Sequence, residues 1–209
     1  MTFSPNAATS RVSPVGATPL SRARDLVDVA RRLAGERGDA AFTIAEVVRG
    51  AGVSLKGFYA TFSGKDQLLL ALLATDTASG ALLLSAAIAA EPEDAPDRRL
   101  RAWTRDLLGL AGLPEARAYA AVLARETRRL AELYPEELGT AIEPLLAQLR
   151  ALLRDLGSTD ARRDSLTVFG MALDAVYRVC VGSVDAADHG DYLATFVVGA
   201  VSDPSWRQP

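Results

Sequence analysis

The sequence predicts an all-α protein: an N-terminal three-helix domain built on a helix-turn-helix, followed by a larger helical body. Three observations carry this. Alanine and leucine dominate a chain of 209 residues that is 49% hydrophobic and only 6% aromatic, and both are strong helix formers. Apolar residues recur at spacings of three and four along most of the chain, the period of a helix with a buried face. The segments so defined are bounded by cap residues, glycines and prolines.

Residues 1–17 are rich in Ser, Thr, Pro and Ala, with Arg11 as their one charge. They read as a disordered arm, without the apolar stretch of a signal peptide. Thr18, with Pro19 at the first helical position, opens the first helix. Leu26, Val27, Ala30, Leu33 and Ala34 give it an apolar face, and Gly38 is its expected stop. Arg22 and Arg24, near its start, read first as solvated charge, although both could reach a phosphate.

The stretch from Phe42 to Leu68 organises the head, which is expected to span residues 18–65. Thr43 and Glu46 have the spacing of a capping box, with Phe42 and Val47 placed to form a hydrophobic staple over it. Gly52 supplies a tight turn, since it accepts positive φ without steric cost. Ser54 caps a second short helix, Leu55 to Ala60, with Val53 and Phe58 as its staple. Two short helices joined by a glycine turn make a helix-turn-helix, whose second helix is shaped to enter a DNA major groove.

The run Phe42-Thr43, then Ala51-Gly52-Val53-Ser54, then Phe58-Tyr59, Phe62, Lys65 and Leu68-Leu69 resembles the DNA-binding domain of the TetR family of bacterial repressors. Thr61 stands where many members have histidine, and Gly57 where a small polar residue is commoner. The resemblance implies a cytoplasmic transcriptional regulator, most often a repressor. It implies a double-stranded DNA operator as partner and a homodimer formed through the two C-terminal helices. It also implies a body, residues 66–209, that binds a small molecule and dimerises. Candidate DNA-binding residues are Thr43, Ser54, Leu55, Lys56, Gly57, Tyr59, Thr61 and Lys65. Lys56, in the first turn of the recognition helix, is the long donor suited to guanine O6 or N7. Thr43, Tyr59 and Lys65 suit phosphates, which position without reading sequence.

In the body, Ser63 is expected to cap a long helix reaching to about residue 90. Thr75, Asp76, Thr77, Ser79 and Gly80 interrupt its apolar runs, so no transmembrane span is expected. The segment from Glu91 to Pro96 reads as a loop. A helix opening at Asp97 carries Leu100, Trp103, Leu107, Leu108 and Leu110. Another runs from Glu115 to about Leu133, with Tyr119, Val122, Leu123, Thr127 and Leu130 on its apolar side. Pro135 starts a further element, in which Pro144 should make a kink or mark the true beginning. Leu145, Leu149, Leu152 and Leu156 form its stripe, and Gly157 its stop. Two strongly apolar helices follow, Leu166 to Val184 and Asp191 to Val201. A helix apolar all round is buried all round, so a second copy of the chain is expected to cover one face of each.

The charge pattern agrees with a DNA-facing head. Residues 1–65 hold 9 Lys/Arg against 5 Asp/Glu, and the remainder 14 against 21; a basic end on an acidic body favours nucleic acid at that end. Cys180 is the single cysteine, which excludes an intrachain disulfide and points to a reducing compartment. The single histidine, His189, reads as part of a turn and has no partner for metal or triad chemistry. No cofactor and no enzymatic activity are expected. For an apolar or aromatic effector the candidate residues are Trp103, Leu107, Tyr119, Leu123, Met171 and Tyr177, with Asp174 and Arg178 as a polar pair. Ordinary core packing accounts for most of these equally well. A helical small-molecule-binding protein without a DNA-regulatory role is the alternative reading.

Overall fold

The computed structural model describes residues 18–202; the expected arm over 1–17 lies outside them, as do residues 203–209. The described residues form nine helices: α1 (Pro19–Arg37), α2 (Ile44–Ala51), α3 (Leu55–Tyr59), α4 (Lys65–Ala89), α5 (Pro96–Gly112), α6 (Arg117–Leu133), α7 (Pro135–Asp155), α8 (Ala161–Cys180) and α9 (Ala186–Ser202). The first three make the head. Thr18 Oγ1 accepts the Ser21 N–H at 3.2 Å, and Gly38, at φ 69°, closes α1 through its N–H to the Ala34 carbonyl. These are the expected ends of the first helix.

Two apolar cores lie along α4. Leu26, Val27, Ala30, Phe42, Val47 and Phe58 of the head join Leu68, Leu69 and Leu72 of α4 and Leu130 of α6 in the first. Farther along, Leu84 and Ile88 meet Trp103, Leu108, Leu149, Val168 and Val197 in the second. By length and apolar composition α4 is long enough to cross a membrane. Here most of its leucines are instead buried in these two cores, so the helix connects the head to the body.

Several boundaries differ from the sequence expectation for local reasons. Helix α4 starts at Lys65 with extended Gly64 as N-cap and no side-chain cap bond. The Ser63 N–H donates instead to Gln67 Oε1, so Ser63 does not cap the helix. Pro96, not Asp97, opens α5. Pro144 neither ends nor begins α7, which runs through it as one helix. Helix α8 begins at Ala161, where Asp160 accepts the Arg163 N–H at 3.1 Å, and it stops at Cys180. Helix α9 begins at Ala186, with Asp185 Oδ1 accepting the Ala187 and Asp188 N–H groups at 2.9 and 3.1 Å. His189 therefore lies in a helix rather than a turn, stacked on Tyr192 at 5.8 Å.

Gly190 lets α9 approach α5. A Cβ there would come within 3.0 Å of the Arg105 Cα, and the Gly190 carbonyl accepts the buried Thr104 hydroxyl at 3.0 Å.

Candidate nucleic-acid interface and body cleft

The helix-turn-helix is held by local bonds. Thr43 Oγ1 accepts the Glu46 N–H at 3.2 Å, while the Glu46 carboxylate accepts the Thr43 N–H at 2.8 Å and the Thr43 hydroxyl at 2.9 Å. Arg37, from the end of α1, pairs with the same carboxylate. The Arg37 hydrogen bond, followed by those from Thr43, holds the Glu46 carboxyl at about 2. Gly52 turns the chain at φ 65°, and Ser54 Oγ accepts the Gly57 N–H at 3.0 Å to start α3.

Helix α3 is five residues long and anchored from beneath. Phe58 is fully buried and packs edge-to-face with Tyr59 at 5.3 Å and against Phe62 at 5.8 Å. Leu55, Lys56 and Tyr59 are exposed, and their i, i+1, i+4 spacing puts them on one side of the helix. Ser54 is exposed beside them. Gly57 stands where a Cβ would meet Val53 Cγ1 at 2.9 Å and Ser54 Oγ at 3.3 Å. Its lack of a side chain therefore allows α3 to sit tightly on the turn, a constraint that motif spacing does not reveal.

Besides Ser54, whose Oγ accepts the Gly57 N–H, three expected DNA-binding side chains donate to internal partners. Besides the Thr43 hydroxyl, which donates to Glu46, the Thr61 hydroxyl donates to the Gly57 carbonyl at 3.1 Å. Lys65 Nζ donates to the Ala40 carbonyl and lies 4.7 Å from the Phe42 ring centre. Ser54, Leu55, Lys56 and Tyr59 thus make the outward face, with Thr43, Gly57, Thr61 and Lys65 supporting it.

In the body, α4, α5, α6, α7 and α8 line an apolar, partly open cleft of about 240 Å³. Leu107 and Leu123 line it as expected, together with Phe169 and Ile142. Other expected ligand residues fall elsewhere. Trp103 is fully buried, and its Nε1 donates to Gln148 Oε1 at 3.1 Å, so it is a core residue joining α5 to α7. Met171 lines a groove between α8 and α9. Asp174 and Arg178 pair at the surface at 2.6 Å, with Arg128 on the other Asp174 oxygen at 2.9 Å. Arg178, then Arg128, hold the Asp174 carboxyl below its ordinary range. The pair is therefore not a buried anchor, because this side of α8 faces solvent. Tyr177, half-buried on the same helix, is not among the residues that line the cleft.

Tyr119 reaches the cleft through another residue. Its hydroxyl donates to Asp76 Oδ2, while Asp76 Oδ1 accepts Arg31 Nε at 3.1 Å and Nη2 at 2.7 Å. Burial first, then the neighbouring Asp76 charge, pushes the Tyr119 phenol up, which keeps it a donor. Burial opposes the Arg31 charge, but Asp76 outweighs it and raises the guanidinium. Asp76 itself lines the cleft, as do Thr77 and Thr127. In the sequence Asp76 and Thr77 stand only as interruptions of an apolar run and Thr127 only as part of an apolar face, so polar residues inside apolar helices are the one signal of this site.

Comparison with known proteins places these features in context. Residues 26–72 match the family described as bacterial regulatory proteins, tetR family. Over 59 residues the chain is 42% identical to the HTH-type transcriptional regulator BetI of Brucella anthropi, covering 28% of this chain and 30% of that protein. BetI of Brucella suis matches equally well, at 42% over 59 residues, 28% of this chain and 29% of that protein. The aligned stretch thus spans less than a third of these relatives' length. Similar solved structures cover nearly the whole chain. FadR from Bacillus subtilis in complex with stearoyl-CoA has TM-score 0.66 at 17% identity, over 84% of this chain and 97% of that one. RolR in complex with resorcinol has TM-score 0.64 at 20% identity, over 90% and 91%. A transcriptional regulator from Pseudomonas aeruginosa has TM-score 0.66 at 18% identity, over 91% and 95%. At these identities the likeness is one of fold, helix-turn-helix head and helical body alike.

Proposed function

We infer, from a head that belongs to the tetR family of bacterial regulatory proteins, that the chain is a cytoplasmic, ligand-responsive transcriptional repressor. It acts as a homodimer on a pseudo-palindromic operator, and a small molecule releases it. The observation that carries this reading is the outward face of α3, where Leu55, Lys56 and Tyr59 stand exposed on a helix fixed by Ser54 and Phe58. A short helix held this firmly can enter a major groove without a large ordering cost. Lys56 reads a base edge, and Tyr59 and Ser54 meet phosphates. Thr43, Thr61 and Lys65 hold the geometry.

The dimer follows from the far end of the body. Leu166 on α8 and Tyr192 and Phe196 on α9 are 55%, 63% and 52% exposed. Gly170 and Gly199 lie on the same two helices, with open space where a side chain would be. Large apolar groups beside bare backbone suit close packing against a second copy of the pair. The body cleft is the effector site. Its 240 Å³ has room for a molecule the size of resorcinol, which RolR binds. Release requires that the effector bind the two dimer geometries unequally.

The test is selection from random double-stranded DNA, followed by titration of the enriched site with salt. An inverted-repeat sequence should emerge, bound with an affinity that falls linearly in log–log against salt. Lys56→Ala should relax preference at one base pair per half-site, at a cost of roughly 1–3 kcal/mol on the selected site. Failure to enrich any sequence would favour a helical ligand carrier instead.

A further inference from the structure

We propose that the effector is a small, largely apolar, non-anionic molecule bearing at least one hydrogen-bond donor, which it directs at Asp76 and Thr127. This deepens the reading of the cleft as the effector site and rests on it. Of the side chains lining the cleft, three carry polar atoms: Asp76, Thr77 and Thr127. The proton of each threonine is already committed. Thr127 Oγ1 donates to the Leu123 carbonyl at 2.8 Å, and Thr77 Oγ1 to the carbonyl of Ala141 at 2.5 Å. Their oxygens therefore offer lone pairs only. A carboxylate has no donor at all, and Asp76 Oδ1 accepts two hydrogen bonds from Arg31.

The walls thus present acceptors, and no free donor, in an otherwise apolar space. An alcohol, phenol or amine gains a hydrogen bond there. A carboxylate or phosphate would bury its charge among acceptors with no donor to satisfy it, which is strongly unfavourable. A pure hydrocarbon would fill the space but leave the acceptors unused. The cleft lies at or below the lower end of the usual range for small-molecule sites, so the molecule has one or two rings or a comparable chain.

Asp76 also lies between the cleft and the head. Its Oδ1 holds Arg31 of α1 and its Oδ2 holds Tyr119 of α6. A donor arriving from the cleft must share these oxygens with Arg31, so occupancy of the cleft is felt directly by the first helix of the head.

The test uses the full-length protein and three molecules of nearly one shape: 1-naphthol, 1-naphthoate and naphthalene. Binding is measured calorimetrically at neutral pH. In the wild type, 1-naphthol should bind at least tenfold more tightly than either of the others. Thr127→Val keeps the volume and removes an acceptor, and Asp76→Asn removes the charge. Each should narrow the preference for naphthol over naphthoate severalfold. Leu123→Trp fills the cleft and should abolish binding of all three. Thr127→Val provides the answer should Asp76→Asn fail to fold. If naphthoate or naphthalene binds as tightly as naphthol, and Leu123→Trp still abolishes binding, the donor requirement is overturned while the cleft remains the ligand site. If Leu123→Trp changes nothing, or no molecule binds at millimolar concentration, the cleft reading falls and this inference with it.

Discussion

The Lys65 ammonium donates a hydrogen bond to the Ala40 carbonyl, tying the start of α4 to the loop between α1 and α2. Its position over the Phe42 ring, 4.7 Å from the centre, adds a cation–π contact to the same loop. A lysine that suits a phosphate in the sequence thus serves in the folded head as a brace. Two of its three ammonium protons remain available, but the side chain is already spent on orientation.

Lys65→Ala should therefore destabilise the head by about 1–2 kcal/mol, the scale of one charge-assisted hydrogen bond and one cation–π contact. Affinity for selected and random DNA should fall together. The salt dependence should hardly change, because the loss is one of positioning. A slope smaller by about one unit would instead identify Lys65 as a phosphate contact. Thermal melting and salt titrations of binding separate the two.

Gly57 allows a second check on the head. Alanine has the better intrinsic helix propensity, by roughly 1 kcal/mol. Its Cβ, however, would stand 2.9 Å from Val53 Cγ1, too close unless one of the two shifts. Overpacking of this kind typically costs 1–3 kcal/mol. Gly57→Ala is expected to lower the melting temperature, and Gly57→Ala combined with Val53→Ala to recover much of the loss. If Gly57→Ala stabilised the protein on its own, the tight seating of α3 on the turn would be refuted.

The pH response of the head follows from Glu46. Its carboxyl is held at about 2, against an ordinary 4.5, by the Arg37 and Thr43 hydrogen bonds. The unfolded chain therefore binds this proton more readily than the folded one between those values. The contribution of Glu46 is complete above about pH 4.5 and is lost as the pH falls toward 2. Glu46→Gln keeps an acceptor for the cap but loses the charge. Urea melts should show the variant less stable at pH 7, with the difference shrinking on acidification through that window. A difference independent of pH would remove the ion pair from the account.

How much of this could be read in the chain depended on how local the cause is. Thr18 with Pro19, Thr43 with Glu46, Gly52 and Ser54 act within four residues, and each stands where the sequence indicated. Helices α8 and α9 start five residues before Leu166 and Asp191, where the apolar pattern begins, because Asp160 and Asp185 cap them there. The cleft was harder still. Asp76 gains its meaning from Arg31 and Tyr119, which lie 45 and 43 residues away, and no periodicity connects the three. Trp103 and Asp174 show the opposite failure. An aromatic in an apolar stripe became core, and a charged pair in an apolar helix became surface. Composition names the residue type but not the side of the helix that the fold leaves open.

That distinction decides the last expectation, on the dimer. Phe196 and Val197 are adjacent on α9 and equally apolar in the sequence, so both invite a charge substitution to break the interface. The fold separates them. Phe196 is 52% exposed, whereas Val197 is 3% exposed and belongs to the second core with Trp103 and Leu149. A carboxylate at 197 would be buried without a partner, a severe penalty for the monomer itself. At 196 it would stay hydrated until a second copy tried to cover it. Phe196→Glu should therefore yield a folded monomer with a near-normal melting temperature at high dilution and much weakened operator binding. Val197→Glu should unfold or aggregate. Light scattering coupled to size exclusion, with circular dichroism for helix content, reads both outcomes. Should Phe196→Glu remain a dimer that binds the operator normally, the α8–α9 face would not be the interface.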